Sequence, residues 1–480
     1  MRLRNLFALL LLLVSLPVFA AEDRFEHTYS KNFTFRGGRV TIEHGFGDLV
    51  IRTHENDQVV VRAVIRSSDA DIGRQIRIVA GENTSGVSVR TEFPEIRGHR
   101  NLSYSVDMTV TVPARAPLSA SNQFGSTDAR GIRSASAFAN KQGAIRLHDA
   151  VNAQTVANSF GAIEIVDVRG PLTVANNNGA VTVRKIEGNL NVANRFGAIN
   201  VADVRSSAML TNANGAIEAI DIDGSLTATN AFGQIKASSV SGNANATTSN
   251  GRVELSNVMG SAKVKNSFGS VVVRTVGGAL TVDGENSQVD AENVGGVATI
   301  DTAFGGVTLR KVNGGATVTS QNGNIRVSDI AGGFTGKTQF GSIHAERVHG
   351  ATSVESTNGS VTLNEISNNA KVRASFGSVF VNGVSGAVDV ANSNGAIAVS
   401  GLRGGCHPVT LRTNFSTIKV TLPANAAYAV NARTSFGRIH TDFPVSATST
   451  TEGTLVGNIG RGGCKLDLVN SNGNITIEKD

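Results

Sequence analysis

The sequence predicts an all-β protein: a right-handed, single-stranded parallel β-helix (a solenoid) with 18-residue coils built from two nonapeptides. Three observations lead there. The first is a glycine that returns every 18 residues from Gly125 to Gly395, with Ser287 as the one miss and no insertion or deletion between. A fixed period of that length means stacked units, each resting on its neighbours, rather than a globular core. The second is a shorter period inside the first. Nine residues after the grid glycine another small residue returns, as at Gly170, Gly188, Gly224 and Gly242, with Ser134, Asn152, Ser206 and Asn368 as substitutes. Each nine, for instance 161–169 or 170–178, is a turn followed by a short alternating apolar run, the period-2 signature of a strand. The third is a pair of apolar ladders. Two residues after the grid glycine 15 of 16 positions are Val or Ile, and seven after it 14 of 16 are, so the same β-branched side chains face inward on every coil. Stacked at the spacing of neighbouring strands, about 4.8 Å, the fifteen intervals from Gly125 to Gly395 make a rod of roughly 70 Å.

The elements follow in chain order. Residues 1–21 read as a secretory signal peptide: Arg2 and Arg4 at the head, an apolar run from Leu6 to Leu16, and Val18-Phe19-Ala20 before Ala21 as the cleavage site. The run is too short to span a bilayer, and no later segment approaches 18 unbroken apolar residues, so no transmembrane segment is expected. The expected location is exported: the periplasm or the cell surface. Without Arg2 and Arg4 the 44 basic residues become 42 against 38 acidic ones, a net charge of +4. No basic stripe repeats along the coils, so no nucleic-acid partner is expected.

Residues 22–116 are the N-terminal cap and irregular first coils. His44 to Arg52 looks like an early coil, Gln58 to Ile65 and Ser105 to Val112 alternate as strands, and Asp69 to Ile78 is a short helix or a loop. End units of a solenoid are commonly atypical because an open strand edge has to be covered. Residues 117–403 are the regular 18-residue-repeat solenoid. Three residues before the grid glycine a polar ladder runs through it, including Asn158, Asn176, Asn194, Asn212 and Asn230, placed to bond to turn backbone. Directly before the glycine, Phe124, Phe160, Phe196 and so on to Phe376 alternate with Gln142, Asn178, Asn214 and so on to Asn394. Rings in a confined corner would be too thick to stack at every coil. The alternation therefore predicts a two-coil unit in which each intervening amide bonds to the turn, the other origin being duplication of a two-coil unit. Residues 404–480 are looser C-terminal coils and a cap, with turns at Asn414-Phe415-Ser416, Ser435-Phe436-Gly437 and Ser471-Asn472-Gly473 taken in that order. Cys406 and Cys464 lie here in like positions. In an exported protein two cysteines favour a disulfide. One coil apart they can bridge and two coils apart they cannot, and the sequence leaves both open.

Rival folds fit less well. Apolar ladders at offsets 2, 4, 7, 11 and 13 suit two nines and not the three hexapeptides of a left-handed helix, and the Gly-Gly-x-Gly-x-Asp run of a calcium roll never appears. Three features resemble the bacterial toastrack family, an adhesin-like β-solenoid domain of unknown function found in envelope proteins. They are Gly45-Phe46-Gly47-Asp48-Leu49-Val50-Ile51 with its Val-rich sequel, Val110-Thr111-Val112-Pro113 leading to Phe124-Gly125, and the ending from Ile418-Lys419-Val420 through Thr434–Gly437 to the Ser471–Ile475 strand. The resemblance implies a right-handed β-helix and an envelope location. It implies no catalytic residues. The long, regular middle departs from it.

Chemistry is sparse. The closest histidines, His344 and His349, lie with Glu346 and Arg347 on one strand and its turn, and no third ligand completes a metal site. Asp167, Asp203, Asp221, Asp223 and Asp329 fall near the second turn, where Asp is a common turn residue. No cofactor, metal or catalytic residue is expected. The function expected is that of a non-enzymatic envelope protein presenting an extended surface to an envelope protein or polysaccharide. The alternative is a polysaccharide lyase or hydrolase, which needs loops that build a cleft. Only the irregular ends have room for such loops.

Overall fold

The computed structural model describes residues 24–95 and 102–480; the signal segment 1–21 falls outside them. Every strand joins one hydrogen-bonded system. The short helix Ala70–Gln75 is started by Asp69, whose carboxylate accepts from the Asp71 and Ile72 amides.

One coil explains the middle. Strand Leu172–Asn178 lies on one face, the chain turns at Gly179, strand Val181–Ile186 lies on the other, and a second turn at Gly188 leads to the next coil. Leu172 pairs in parallel with Leu190 and Val181 with Ile199, so each residue stacks on the one 18 positions later. Leu172, Val174, Val181, Val183 and Ile186 are buried, as the five apolar offsets require, and Ile199, Ile217 and Ile235 form one continuous buried row. The two halves of the coil differ in shape. The first strand is straight. The second bends at Lys185, which has a left-handed backbone (φ 57°), and this returns Ile186 to the interior. The same corner recurs at Asp149, Asp167, Asp203, Asp221 and onward to Glu365, all with φ between 52° and 63°. Asp167, Asp203, Asp221 and Asp329 are therefore corner residues, whereas Asp223 lies in the second turn itself, where its amide donates to the Val204 carbonyl. Asp and Asn tolerate this backbone better than most side chains because their short polar groups bond locally.

The grid glycine is required by contact as well as by backbone. Gly161 has φ 132°, and a Cβ there would sit on the Gly143 carbonyl oxygen of the preceding coil. Ser287 escapes this through a compensating change. The polar-ladder position of its own coil is Gly284, and the Ser287 side chain turns into that space, fully buried, where Oγ donates to the Asn266 carbonyl at 3.1 Å. Elsewhere the ladder bridges coils: Asn176 Nδ2 donates to the carbonyls of Gly161 (3.3 Å) and Gly179 (3.0 Å), and Asn194 repeats the pattern on Gly179 and Gly197.

At both ends spatial order departs from chain order, which corrects the C-terminal sequence of coils expected above. Strand Arg39–Phe46 is flanked by Gly86–Glu92 on one side and Leu118–Phe124 on the other. Its companion Leu49–His54 lies between Tyr104–Pro113 and Thr127–Arg130. The first coil made is therefore the second in space. The C-terminal end mirrors this. The last coil, Cys464–Asn472 with Ile475–Lys479, inserts between Val409–Phe415 with Ile418–Leu422 and the earlier-made Tyr428–Phe436 with Ile439–Thr441. The first and last coils made thus each have both edges paired. The outermost coils are covered by antiparallel strands: Gln58–Ser67 and Phe25–Thr34 on one face of the N-terminal end, Arg77–Asn83 on the other, and Thr454–Ile459 with Val445–Thr451 at the C-terminal end. An unpaired row of backbone amides would otherwise template aggregation. The side-chain ladder tracks the spatial order: Asn122 donates to Gly47 (3.0 Å), Asn470 to Ser416 (2.7 Å) and Thr434 to Gly473 (2.9 Å). Insertion of the last coil also makes Cys406 and Cys464 neighbours. They form a disulfide with Cα atoms 5.6 Å apart, across 58 positions of chain.

Candidate binding ridge

The residue before each grid glycine ends the straight strand, where the chain swings outward into the turn. The side chain there faces water. Phe160, Phe196, Phe232, Phe268, Phe304, Phe340, Phe376 and Phe415 are each between 42% and 55% exposed, and Phe436 is 75% exposed. They form a ridge along one corner of the rod, one ring every second coil. This overturns the confined corner inferred from the sequence. So does the N-terminal end, where Phe46 and Phe124 stand on adjacent coils and stack with centroids 4.6 Å apart and planes 3° from parallel. One-coil ring stacking is therefore sterically sound. The intervening amides do not bond to the turn as expected: among the described residues, Asn472 alone of the alternating Asn and Gln side chains makes such a bond, to the Asn414 carbonyl at 3.4 Å.

The alternation holds in space where it fails in sequence. The C-terminal turns read Phe415, Phe436, Asn472 along the chain. Insertion of the last coil gives Phe376, Asn394, Phe415, Asn472, Phe436 along the rod. Tandem duplication of a two-coil unit cannot produce this, because these coils are not consecutive. The break in the sequence pattern was the available signal: the two successive Phe turns, Phe415 and Phe436, mark the place where the Asn472 turn inserts. At the opposite end the ridge closes in a cluster, with Phe93 and Tyr104 edge-on to Phe46 at 5.0 and 5.1 Å.

Both faces beside the ridge carry cross-coil ion pairs, on the straight face Arg373 with Asp389 (2.6 Å) and Lys337 with Glu355 (3.2 Å). On the straight face a shallow trough of about 490 Å³ runs over Ala139, Ala157, Ala175 and Ala193, with Ser159 and Arg195 on its rim. The bent face carries charge in cross-coil networks. Asp290 accepts from Arg274 (2.6 Å) and Arg310 (3.2 Å), and Glu292 from Lys311 (3.1 Å). The Lys311 ammonium holds the Glu292 carboxyl below its ordinary range. His344 and Glu346 share that face at 3.9 Å, but Glu346 also pairs with Arg347, which binds Asp329 at 2.6 Å and lowers its carboxyl. His349 lies apart, along a groove with Lys311 and Asp329. Among the described residues no three His, Cys, Asp or Glu side chains converge to hold a metal, and no helix is long and apolar enough to cross a membrane.

One buried histidine escaped the sequence reading. His44 takes the polar-ladder position in the first coil, beside Asn122, and is 2% exposed. Its Nδ1 lies 3.5 Å from the Thr91 hydroxyl. Burial pushes its pKa down to about 4, against weaker support for the charged form from the Val106 and Gly47 backbone and from Asp107 and Asp48.

Residues 317–478 match the family described as Toastrack DUF4097. That stretch, about a third of the chain, is similar to the toastrack family. It runs from regular coils through the exchanged C-terminal pair, so the match includes the C-terminal part of the ridge, from Phe340 to Phe436, and the inserted last coil. No curated protein matches the chain. A solved structure described as a putative cell adhesion protein from Clostridium sporogenes is 8% identical, covering 95% of this chain and 100% of that one. At a TM-score of 0.16 it carries no weight beside the toastrack match.

Proposed function

We propose that this is a non-enzymatic, exported cell-envelope protein, an adhesin-like β-solenoid that presents a long surface for binding. The observation that carries the reading is the phenylalanine ridge. Half-exposed rings in a continuous line cost solubility, and contiguous exposed apolar surface of this kind marks an interaction site. Packing does not demand the alternation, since Phe46 and Phe124 stack without it, and duplication does not explain it at the exchanged end. A surface role accounts for both facts. The bent face, covered in ion pairs, is suited to facing water.

The test uses the protein from residue 22 onward, sedimented with envelope material of the producing cell. The wild type should co-sediment, and F196Q/F232Q/F268Q should lose most of that binding with its melting temperature unchanged. Envelope binding that is indifferent to these changes overturns the reading. So does cleavage of acidic or neutral polysaccharide that one carboxylate substitution abolishes, which would make the protein a lyase or hydrolase.

A further inference from the structure

We infer that the ridge pairs with the ridge of a second copy of this chain, the two rods lying antiparallel and offset by one coil so that their rings interdigitate. The inference rests on the reading of the ridge as the presenting surface and names its occupant.

The argument is one of spacing, area and closure. Successive ridge phenylalanines are two coils apart, roughly 9.6 Å. A ring placed midway stands about 4.8 Å from each. Phe46 and Phe124 already keep that separation, 4.6 Å with parallel planes, so the slot over each Asn is the width that one aromatic ring fills. The surface that supplies flat rings at the same two-coil interval is the ridge itself. The alternation is then what an interdigitating edge needs: a ring, a slot, a ring. A phenylalanine on every coil would leave no slot. The inserted last coil extends the pattern by putting the Asn472 slot between Phe415 and Phe436.

The area is sufficient. A half-exposed ring offers about 100 Å², so the eight from Phe160 to Phe415 offer roughly 800 Å² per copy, the usual contribution of one partner to a stable interface. Antiparallel pairing about a two-fold axis is self-limiting, because each ridge is used once. The ion-paired bent faces of both copies stay in water.

Sedimentation equilibrium on the chain from residue 22 tests this, beside a pellet assay with envelope polysaccharide. The wild type should dimerise at micromolar concentration. F196Q/F232Q/F268Q should weaken the dimer about tenfold or more, with circular dichroism and melting unchanged. N214F/N250F, which fills two slots, should weaken it as well, although it adds apolar surface. If the slot-filling variant associates more tightly than the wild type, the contact is unspecific and interdigitation is overturned. A wild type that stays monomeric while its ridge binds polysaccharide overturns the second copy as occupant and leaves the ridge as the presenting surface. If neither association nor polysaccharide binding responds to the ridge variants, both readings fall.

Discussion

The middle of the rod and its two ends are built from the same coil but connected by different rules. Between Gly125 and Gly395 every strand pairs with the strand 18 residues away, so one repeating position defines face, register and neighbour together. At the ends the same coil geometry is kept and chain order is abandoned: Val409 pairs with Leu466, and Val40 with Leu118. The difference shows that a periodic pattern specifies where a residue sits in its coil but not which coil lies next to it. Adjacency follows from the 18-residue grid only while the connections are too short to allow anything else.

The largest expected effect comes from breaking the exchanged end. Deleting 464–480 removes the inserted coil and the burial of Leu466, Leu468, Ile475 and Ile477, worth on the order of 6–12 kcal/mol. The coil 428–441 then faces an empty slot, and limited proteolysis should digest the chain from about residue 404 onward. Removing two coils from the middle, residues 161–196, should leave a shorter rod that resists proteolysis. Equal resistance of the two deletions would show that the end is no more dependent on its last coil than the middle is on any one of its own.

Within the middle, Ile217→Asp buries an unpaired charge in a fully covered row and should cost about 4 kcal/mol, lowering the denaturant midpoint. Its neighbour Glu218 points outward and pairs with Lys236 at 3.0 Å. Glu218→Ala should cost under about 0.5 kcal/mol, because exposed pairs contribute little. Similar losses at both sites would contradict the assigned faces.

Acid separates the ends again. His44 has a folded pKa of about 4 against an ordinary 6.5, so between those values the unfolded chain binds a proton that the folded chain does not. The stability this confers is complete above about pH 6.5 and is lost as pH falls toward 4, about 3 kcal/mol in all. Hydrogen exchange should show the N-terminal coils loosening over that window while Asn122 and the coils beyond it hold. His44→Asn should abolish the difference.

The smallest expected effect concerns the alternation. Deleting 161–178 leaves Phe160 and Phe196 on adjacent coils. Because Phe46 and Phe124 stack comfortably in that relation, the 18-residue deletion should match the 36-residue deletion of 161–196 to within about 1 kcal/mol by thermal unfolding. A clearly larger loss would restore the confined corner.

The legible and illegible parts of this chain divide along the same line. Buried offsets, turns and the Asn ladder were readable because each repeats many times, and Ile199, Ile217 and Ile235 lie where the pattern puts them. The corner at Lys185 was not, because a left-handed backbone carried by Asp, Asn, Lys, Ser, Thr, Arg or Glu has no single residue as its mark. The ridge was visible as a pattern but assigned to the wrong side of the backbone. Strict alternation would turn the residue before each grid glycine inward, and the turn reverses it. The exchanged ends were hidden because pairing at a separation of 57 or 78 positions leaves no period to detect.

The inserted last coil also sets an order of events. Regular coils need only the preceding 18 residues, so the middle can wind up as fast as chain is supplied. The coil 464–479 has to enter a place already bounded by 409–422 and 428–441, after a detour through an antiparallel hairpin. Contacts of such separation form late, since the loop has to be closed before they return any stability. The exchanged end therefore cannot close until residues 464–479 have been made, and without them the coils 409–422 and 428–441 each keep an open edge.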